Sequence, residues 1–355
     1  MFSASTVLVY EFFTAGGFHE GELPAGLAVE ALGMLWAVLQ DFRHWGAVRT
    51  ITAMDPRFEQ RIPGLSRETL HADEVLSAGA AEHEDVYLSL LKRCDAVLII
   101  APETDGILSK LAEQAEMEGI PLLGCNSSAA ATAGNKAICN RLFDLANLPA
   151  PLTRTASFLT AAHVAGQMRC PLVIKPIDGV GCEGVCRLDS LSSLPEILAL
   201  VRKSTMQEQI LLQSLANGTH ASVSLLVAEG GCMPLSLNLQ LIEAGAPFQY
   251  LGSQVPFRHP QRDRAMELAG QAVGLIPGLK GYVGVDLVLA DDHVELIEIN
   301  PRITTSYLGL RQVTRMNLAQ AIWDACMKDK MPDQFALAGE VVIRKDDARS
   351  WGLLR

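Results

Sequence analysis

The first third of the chain alternates short, mostly apolar runs with longer segments of helical periodicity. The predicted strands in this part are residues 6–10, 48–52, 96–100 and 121–124. The predicted helices are residues 25–42, 85–92 and 108–118. This regular alternation favours a parallel sheet with helices packed on both of its faces.

From about residue 125 the pattern changes to one with more strands than helices. The predicted strands are residues 172–175, 210–213, 222–227, 235–242, 283–290 and 294–299. The predicted helices are residues 128–145, 262–273 and 318–327. The last two strands are joined by the polar turn Asp291-Asp292-His293, which predicts an antiparallel pair. An α/β part is therefore expected to be followed by an α+β part.

Length, composition and charge narrow the class of protein. A chain of 355 residues with 49% hydrophobic residues can form two or three units with a sizeable core. The net charge of −11 argues against a nucleic-acid partner, because nucleic-acid binding needs a basic surface. We find no basic leader and no uncharged apolar run of the roughly 20 residues that span a bilayer. With eight scattered cysteines, a cytoplasmic protein without a membrane partner is expected.

The pair of strands near the C-terminus carries the strongest chemical signal. Side chains alternate along a strand, so Glu298 and Asn300 are predicted to share one face, with Leu296 beside them. Asp286 on the neighbouring strand is predicted to face them. Two carboxylates and an amide oxygen suit Mg²⁺, with Mn²⁺ as an alternative, held jointly with nucleotide phosphates. Arg302 follows at once and can bind an anion bidentately.

Two lysines and a glycine-rich turn form a second candidate set. Lys175 ends an apolar strand, and Lys136 opens a predicted helix 39 residues earlier. Glycines let backbone N–H groups approach an anion closely, although the spacing is neither a P-loop nor a dinucleotide fingerprint. A lone lysine or turn of this kind is usually surface structure, and here the combination predicts phosphate binding. The turn residues in question are Asp178, Gly179, Val180, Gly181 and Gly184.

Two further sets of residues are predicted to contact small molecules. Leu211, Leu212 and Gln213 are expected to form an apolar strand edge whose free backbone groups flank an adenine ring. Polar residues follow the first and third predicted strands, where ligands enter an open α/β sheet. They are Glu11, Thr14, Gly16 and Gly17 after the first strand, and 101–105 after the third. For recognition of an amino-acid substrate the prediction is Glu103, Gln240, Thr305 and Ser306, with turn and cap chemistry as the structural alternative.

The order of these motifs resembles the ATP-grasp superfamily over residues 120 to 315. The matching motifs are Asn135-Lys136, V-I-K-P with its glycine-rich loop, L-L-Q with Gly218, V-D-L and E-I-N-P-R. The resemblance implies a Rossmann-like domain at residues 1–124, a helical linker and lid at 125–212, and a C-terminal antiparallel-sheet domain at 213–355. It also implies that ATP is gripped between the last two domains.

The same resemblance implies a role for each motif. Lys136 and Lys175 would contact the α- and β-phosphates, the loop 178–185 the β- and γ-phosphates, and residues 211–213 the adenine. The Mg²⁺ ligands would be Asp286, Glu298 and Asn300, and Arg302 would meet the reacting phosphate. The sequence departs from the family pattern mildly at Asn135, and also at Ser214 and His220. The last two departures leave the ribose contacts open, with His220 a weak candidate.

A narrower resemblance extends over most of the chain. The segments VYEFFTAGGF, MLWAVLQDF, LIIAPETDGIL and EINPRITTSYLGLR are similar to those of the archaeal-type tyramine–L-glutamate ligase group of methanofuran biosynthesis. It implies a carboxylate substrate and an amine substrate, joined through an acyl phosphate, and an architecture frequent in homodimers. The alternatives are another ligase of this architecture, such as a dipeptide ligase, a nucleotide sensor without catalysis, and a scaffolding protein.

Overall fold

The computed structural model describes residues 4–18, 25–61, 65, 67–79 and 82–345. In these ranges the chain forms three sheets, each the centre of a structural unit. We refer to them in chain order as the N-terminal, central and C-terminal units. The predicted combination of a parallel α/β sheet with antiparallel sheets is confirmed.

The N-terminal unit is a four-stranded parallel sheet of order β3-β2-β1-β4. Its strands are β1 (Thr6–Glu11), β2 (Arg49–Met54), β3 (Glu74–Ser77) and β4 (Ala96–Ile100). Its helices are α1 (Ala25–Trp45), α2 (Pro56–Arg61), α3 (His83–Leu91) and α4 (Ile107–Met117). Both faces of β1 are buried, since Val7 and Val9 pack against α1 while Leu8 and Tyr10 face α3 and α4. The strand predicted at 121–124 is only an isolated bridge between Val97 and Leu122.

Two helices follow where one was predicted at residues 128–145. They are α5 (Ser127–Gly134) and α6 (Lys136–Leu145). Asn135 separates them because it leaves helical geometry and its side-chain oxygen accepts from the backbone N–H groups of Ala137 and Ile138, at 3.0 and 3.2 Å. The break fixes Lys136 at the first position of α6, where its backbone N–H bonds Ile177 O at 2.8 Å.

The central unit is a four-stranded antiparallel sheet of order β5-β8-β6-β7. Its strands are β5 (Thr153–Ser157), β6 (Leu172–Pro176), β7 (Cys186–Leu188) and β8 (Gln209–Ser214). Its helices are α7 (Ala161–Gly166) and α8 (Leu194–Arg202). They cover one face with a separate small core that includes Ile174, Ile197 and Leu212.

The C-terminal unit is a six-stranded antiparallel sheet of order β13-β12-β9-β10-β11-β14. Its strands are β9 (Thr219–Ala228), β10 (Gly231–Glu243), β11 (Gln249–Val255), β12 (Gly281–Leu289), β13 (Val294–Asn300) and β14 (Val341–Arg344). Its helices are α9 (Arg262–Val273), α10 (Ser306–Val313) and α11 (Leu318–Lys328). The predicted antiparallel pairing of the two strands around residue 292 is confirmed.

The packing of α5 and α6 bears on where the domains divide. Ala133 and Phe143 share a core with Val223 and Val285 of the C-terminal sheet, although the predicted division grouped 125–212 together. The predicted boundary at 212/213 also falls inside β8, which continues to Ser214. We propose that the central unit spans residues 150–214 and that 125–149 belongs with the C-terminal unit.

A buried ionic cluster ties α1 to α10. Asp41 accepts from Tyr307 Oη at 2.7 Å and from Arg311 Nε and Nη2 at 3.0 and 2.8 Å. Tyr307 is fully buried and Asp41 is 6% exposed. Burial, followed by the charge of Asp41, raises the pKa of Tyr307 above its ordinary value, so the phenol stays a donor. The cluster holds the N-terminal unit against the helix that follows the C-terminal sheet.

Replacing Asp41 by alanine is expected to lower the free energy of unfolding by about 3–5 kcal/mol, because Arg311 and Tyr307 lose a buried partner. Urea denaturation followed by circular dichroism measures the loss. Asp144→Ala, at an exposed site on α6, is the matched control and should change it by no more than about 0.5 kcal/mol. Equal small losses in both variants would show that the cluster does not stabilise the fold.

Candidate functional site

The three units surround one large cleft of about 950 Å³. The N-terminal unit contributes the end of β1 and the start of α1, including Glu11 and Glu30. The central unit contributes its glycine-rich loop, residues 180–184, and beside it Cys186, Leu200, Lys203 and Ser204. The C-terminal unit contributes a polar sheet face and the segments that follow it: Ser222, Gln240, Tyr250, Asp286, Glu298, Asn300, Arg302, Thr305, Ser306 and Lys345. A cleft of this size suits a nucleotide together with small substrates.

The predicted oxygen cluster is present on the C-terminal sheet. Asp286 on β12 lies opposite Glu298 on β13, and Gly284 lies opposite Asn300. Gln240 and Asn300 both hydrogen-bond Asp286. Burial, with the nearby charge of Glu298, raises the pKa of Asp286 to about 7. The charged form of Asp286 is therefore unfavourable on its own, and a cation beside it would stabilise that form.

Leu296 does not lie beside this cluster, and the prediction for it is wrong. The register of β12 and β13 shifts between Asp286 and Leu287, so that Leu287 pairs with Leu296 and Ile297 is the extra residue of a bulge. The bulge turns Leu296 to the opposite face from Glu298. There it is fully buried in the core that α5, α6 and α9 cover.

The two predicted lysines lie next to the carboxylates of the oxygen cluster. Lys136 Nζ is 3.0 Å from Glu298 Oε2 and donates to Gly179 O at 2.7 Å. Lys175 Nζ donates to Gln213 Oε1 at 3.0 Å. Burial alone would raise the pKa of Glu298, but the ammonium groups of Lys136 and Lys175 lower it below its ordinary value. The structure thus brings two cations and two carboxylates from separate segments to one place.

Burial acts differently on the two ammonium groups. It lowers the pKa of Lys175 to about 8, and the charge of Lys136 adds to this effect. Burial also acts to lower the pKa of Lys136, but the charges of Glu298 and Glu103, with the hydrogen bond to Glu298, together outweigh it and raise that pKa. Of the two ammonium groups, Lys175 is therefore the one whose charge is less fully compensated, and a nearby anion would stabilise it.

The glycine-rich loop is shaped by two left-handed glycines. Gly181 has φ +60° and Gly184 has φ +67°, and a Cβ on Gly184 would lie 2.7 Å from Ser204 Cβ. Val180, Gly181 and Gly184 line the cleft as predicted. Asp178 does not, because its carboxylate accepts from Asp105 N at 2.9 Å and Gln207 Nε2 at 3.3 Å. Gly179 presents its carbonyl to Lys136 rather than its N–H to the cleft.

Strand β8 is not a sheet edge, which corrects the prediction for residues 211–213. It pairs with β5 on one side and β6 on the other, with Leu211 opposite both Thr155 and Lys175. The backbone groups of Leu211, Leu212 and Gln213 are therefore used in the sheet. Gln213 instead contributes its side chain, which bonds Lys175, Asn140 and Thr153.

Arg302 reaches the cleft from the segment after β13 and is held by Glu103. Arg302 Nε donates to Glu103 Oε1 at 3.0 Å, and its Nη1 donates to Ile303 O at 3.2 Å. Glu103 is 6% exposed, and its Oε2 is buried without a hydrogen-bond partner. Burial acts to lower the pKa of Arg302, but the charge and hydrogen bond of Glu103, with the charges of Glu30 and Glu298, together outweigh it and raise the pKa of the guanidinium. Glu103 itself lies behind Arg302 rather than among the cleft-lining residues, whereas Gln240, Thr305 and Ser306 line the cleft.

The weak candidate His220 stands at the border of the cleft. Its ring meets Phe248 edge-on at 6.1 Å, and Phe248 lines the cleft. Burial lowers the pKa of His220, so the ring is neutral near pH 7. Ser214 is the last residue of β8 and pairs with Leu172.

Several cleft residues were not predicted from the sequence, among them Glu30, Tyr250 and Lys345. Glu30 on α1 accepts from Thr305 Oγ1 at 2.5 Å, Lys345 Nζ lies 3.9 Å from Glu30 Oε2, and Tyr250 belongs to β11. A signal for Glu30 does exist, because it is the only charged residue in the first four turns of an otherwise apolar helix. Strands β11 and β14 lack a clear alternation, so nothing local pointed to Tyr250 or Lys345.

The protein residues alone do not form a complete metal site. Within the described ranges there is no group of three or more His, Cys, Asp or Glu that could hold a metal ion. The donor set of two carboxylates and one amide instead fits a hard cation that takes its remaining oxygens from a phosphate ligand. None of the helices in the described ranges has the length and apolar character needed to cross a membrane.

Comparison with known proteins gives consistent matches over most of the chain. A family model of the ATP-grasp domain matches residues 133–306, and a model of the pre ATP-grasp 3 domain matches residues 48–130. The tyramine–L-glutamate ligase of Methanocaldococcus jannaschii is 31% identical over 261 residues, which cover 73% of this chain and 71% of that protein. The enzyme of the same name from Methanocaldococcus fervens is 29% identical over 326 residues, covering 89% and 92%.

A solved structure has the same fold. It is that of an ATP-grasp superfamily protein from Archaeoglobus fulgidus, with a TM-score of 0.69 at 24% sequence identity. The match covers 96% of this chain and 92% of that one. The N-terminal parallel sheet, the central unit and the C-terminal antiparallel sheet therefore have a counterpart of known structure.

Proposed function

Because this chain belongs to the ATP-grasp family of ATP-dependent, ADP-forming carboxylate–amine ligases, we propose that it joins L-glutamate to tyramine or a closely related aromatic amine. The resemblance predicted from the motifs is confirmed. The observation that carries the substrate proposal is the 31% identity to a tyramine–L-glutamate ligase over 73% of the chain. The cleft supports it by bringing polyphosphate-binding and amino-acid-binding groups together.

The metal site is proposed at Asp286, Glu298 and Asn300. These side chains would hold Mg²⁺, and the same oxygen donors would accept Mn²⁺. When bound, the ion neutralises charge that develops on the phosphoryl group during transfer. The raised pKa of Asp286 supports this assignment, since a dication would stabilise its charged form.

The phosphates of ATP are proposed to lie between the lysine pair and the glycine-rich loop. Lys136 and Lys175 supply two buried positive charges beside Glu298. The loop at 180–184 lines the cleft and would supply backbone N–H groups to an anion. Positioning and electrostatics of this kind, without a protein nucleophile, are sufficient for phosphoryl transfer.

Arg302 is proposed to stabilise the acyl phosphate that forms when the carboxylate attacks the γ-phosphate. Its buried, charged guanidinium is held in place by Glu103 and faces the cleft beside Asn300. The amine then displaces phosphate to form the amide. Thr305, Ser306 and Gln240 line the same region and are proposed to orient the acid substrate. Covering of the cleft by the central unit keeps water from the acyl phosphate.

The proposal is tested by measuring ADP release with a panel of carboxylates and amines, and identifying products by mass. With ATP and Mg²⁺, we expect ADP release to require both glutamate and tyramine and to yield one amide of the two. Omission of either substrate is the control. Turnover with another acid and amine pair, but not this one, would reject the substrates while retaining the ligase. Tight ATP binding without turnover over the whole panel would favour a nucleotide sensor.

A further inference from the structure

One arm of the cleft lies away from the phosphate-binding groups, at the carboxyl end of β1. We define this arm, called the aromatic arm below, by Phe13, Phe18, Leu27, Met34, Glu11 and Glu30, all of which line the cleft. Its residues come from the turn after β1 and from α1. None of them has a role in the phosphate or metal chemistry assigned above.

The arm presents aromatic side chains to the cleft. Phe13 and Phe18 are stacked with ring centroids 4.5 Å apart and an interplanar angle of 26°, and Phe12 meets Phe13 edge-on at 5.3 Å. Phe13 and Phe18 are only half-buried. Three of the eleven phenylalanines of the chain, Phe12, Phe13 and Phe18, lie within the seven residues 12–18. Such a surface favours a ligand with a flat apolar body.

The arm also carries two carboxylates. Glu11 is 1% exposed, and its Oε2 accepts from Thr14 N at 2.6 Å. Glu30 bonds Thr305 through Oε1, and its Oε2 has Lys345 only at 3.9 Å. Both carboxylates interact electrostatically with Arg302. The arm therefore ends next to the residue proposed to hold the acyl phosphate.

Arg302 is shared among three carboxylates at this end of the arm. It interacts with Glu11, Glu30 and Glu103, but its ion pair at 3.0 Å is with Glu103. Lys345 lies 3.9 Å from Glu30. Burial raises the pKa of Glu11 to about 7, as expected for a carboxylate without a full counter-charge. A positive charge on the ligand would therefore be favoured beside Glu11 and Glu30.

We propose that the aromatic arm is the amine subsite, which binds a primary ammonium against Glu30 and Glu11 and its aromatic body against Phe13 and Phe18. This inference rests on the proposed function, since it assigns one of the two substrates of the ligase to a place in the cleft. The nitrogen lies on the Arg302 side of the arm, near the proposed position of the acyl phosphate. Transfer of one ammonium proton to a carboxylate of the arm would free the nitrogen lone pair, so that the neutral amine can form the C–N bond as the C–O bond to phosphate breaks.

The test uses steady-state ADP release by the full chain, with tyramine varied at saturating ATP and glutamate. Glu30→Gln keeps an acceptor for Thr305 and removes only the charge. It is expected to raise the KM for tyramine about tenfold or more, while the KM for glutamate stays within about twofold. Phe18→Ala is expected to raise the KM for tyramine about threefold to tenfold and the KM for ethylamine very little. Glu113→Gln, at an exposed site on α4 outside the cleft, is the matched control.

The outcomes separate the two proposals. A rise in the KM for glutamate, with that for tyramine unchanged, would place the acid in the arm and overturn the inference while leaving the ligase intact. If no amide forms with any substrate, calorimetric titration of the protein with tyramine still decides the inference. Binding that Glu30→Gln weakens would support the arm as an amine subsite even though the proposed substrates had failed. No binding would overturn both.

Discussion

Glu298→Gln is expected to lower kcat for amide formation by at least about 10³-fold. The substitution removes the charge that pairs with Lys136 at 3.0 Å and one of the two carboxylates of the proposed metal site. Loss of a single preorganised electrostatic group in a buried site lowers the rate about 10²–10³-fold. Glu298 would bind the metal ion and also pairs with Lys136, so its loss is expected to have at least the larger effect. Amine-dependent ADP release over a range of Mg²⁺ concentrations measures the effect.

The matched control for Glu298→Gln is Glu295→Gln on the same strand. Glu295 is not among the cleft-lining residues, and its nearest cation is the exposed His293 at 4.0 Å, so turnover should stay close to that of the wild type. Thermal unfolding of both variants shows whether the chain remains folded, because Lys136 loses a buried partner in the first of them. Near-normal turnover of folded Glu298→Gln would reject the metal assignment.

The elements that were predicted well are those whose signal is local. The parallel strands 6–10 and 96–100 are buried on both faces and read as apolar runs, and the helix predicted at 262–273 coincides with α9. The facing of Asp286 and Glu298 was also predictable, since a short polar turn joins their strands and leaves few possible registers.

The errors arise where a distant segment decides the local structure. The bulge at Ile297 depends on the pairing of β13 with β12. The alternation of side chains in the sequence VELIEIN does not predict it. Strand β8 was predicted as an edge, since its neighbour β5, with the sequence TRTAS, is short and mostly polar and has no clear strand signal. The break between α5 and α6 has a local signal, because Asn135 is a favoured residue type at the start of a helix. The alanines of α5 favour a helix as well, so one continuous helix was predicted.

The two acidic residues of α1 show how much of the site depends on tertiary contacts. Glu30 and Asp41 are spaced eleven residues apart, three helical turns, which places them on one face of the helix. Glu30 bonds Thr305 and Asp41 bonds Tyr307, so both meet the segment that directly follows Arg302. A buried acid on an apolar helix predicts a polar partner, but only the fold identifies that partner.

Arg302→Met is expected to lower kcat about 10²–10³-fold, with a second, separate loss of stability. The activity falls because no cation remains to stabilise the acyl phosphate. Stability falls by about 3–5 kcal/mol because Glu103 is buried and loses its counter-ion. Single-turnover assays of ADP formation and urea denaturation measure the two effects independently.

The double variant Glu103→Gln/Arg302→Met distinguishes catalysis from folding at this pair. Removing the Glu103 charge as well should restore most of the lost free energy of unfolding, since no uncompensated buried charge remains. It should restore none of the activity if Arg302 contacts the reacting group. Glu103→Gln alone keeps the guanidinium and is expected to reduce kcat far less than Arg302→Met, in keeping with a residue that only positions Arg302. Recovery of turnover together with stability in the double variant would show that Arg302 acts on the fold rather than on the acyl phosphate.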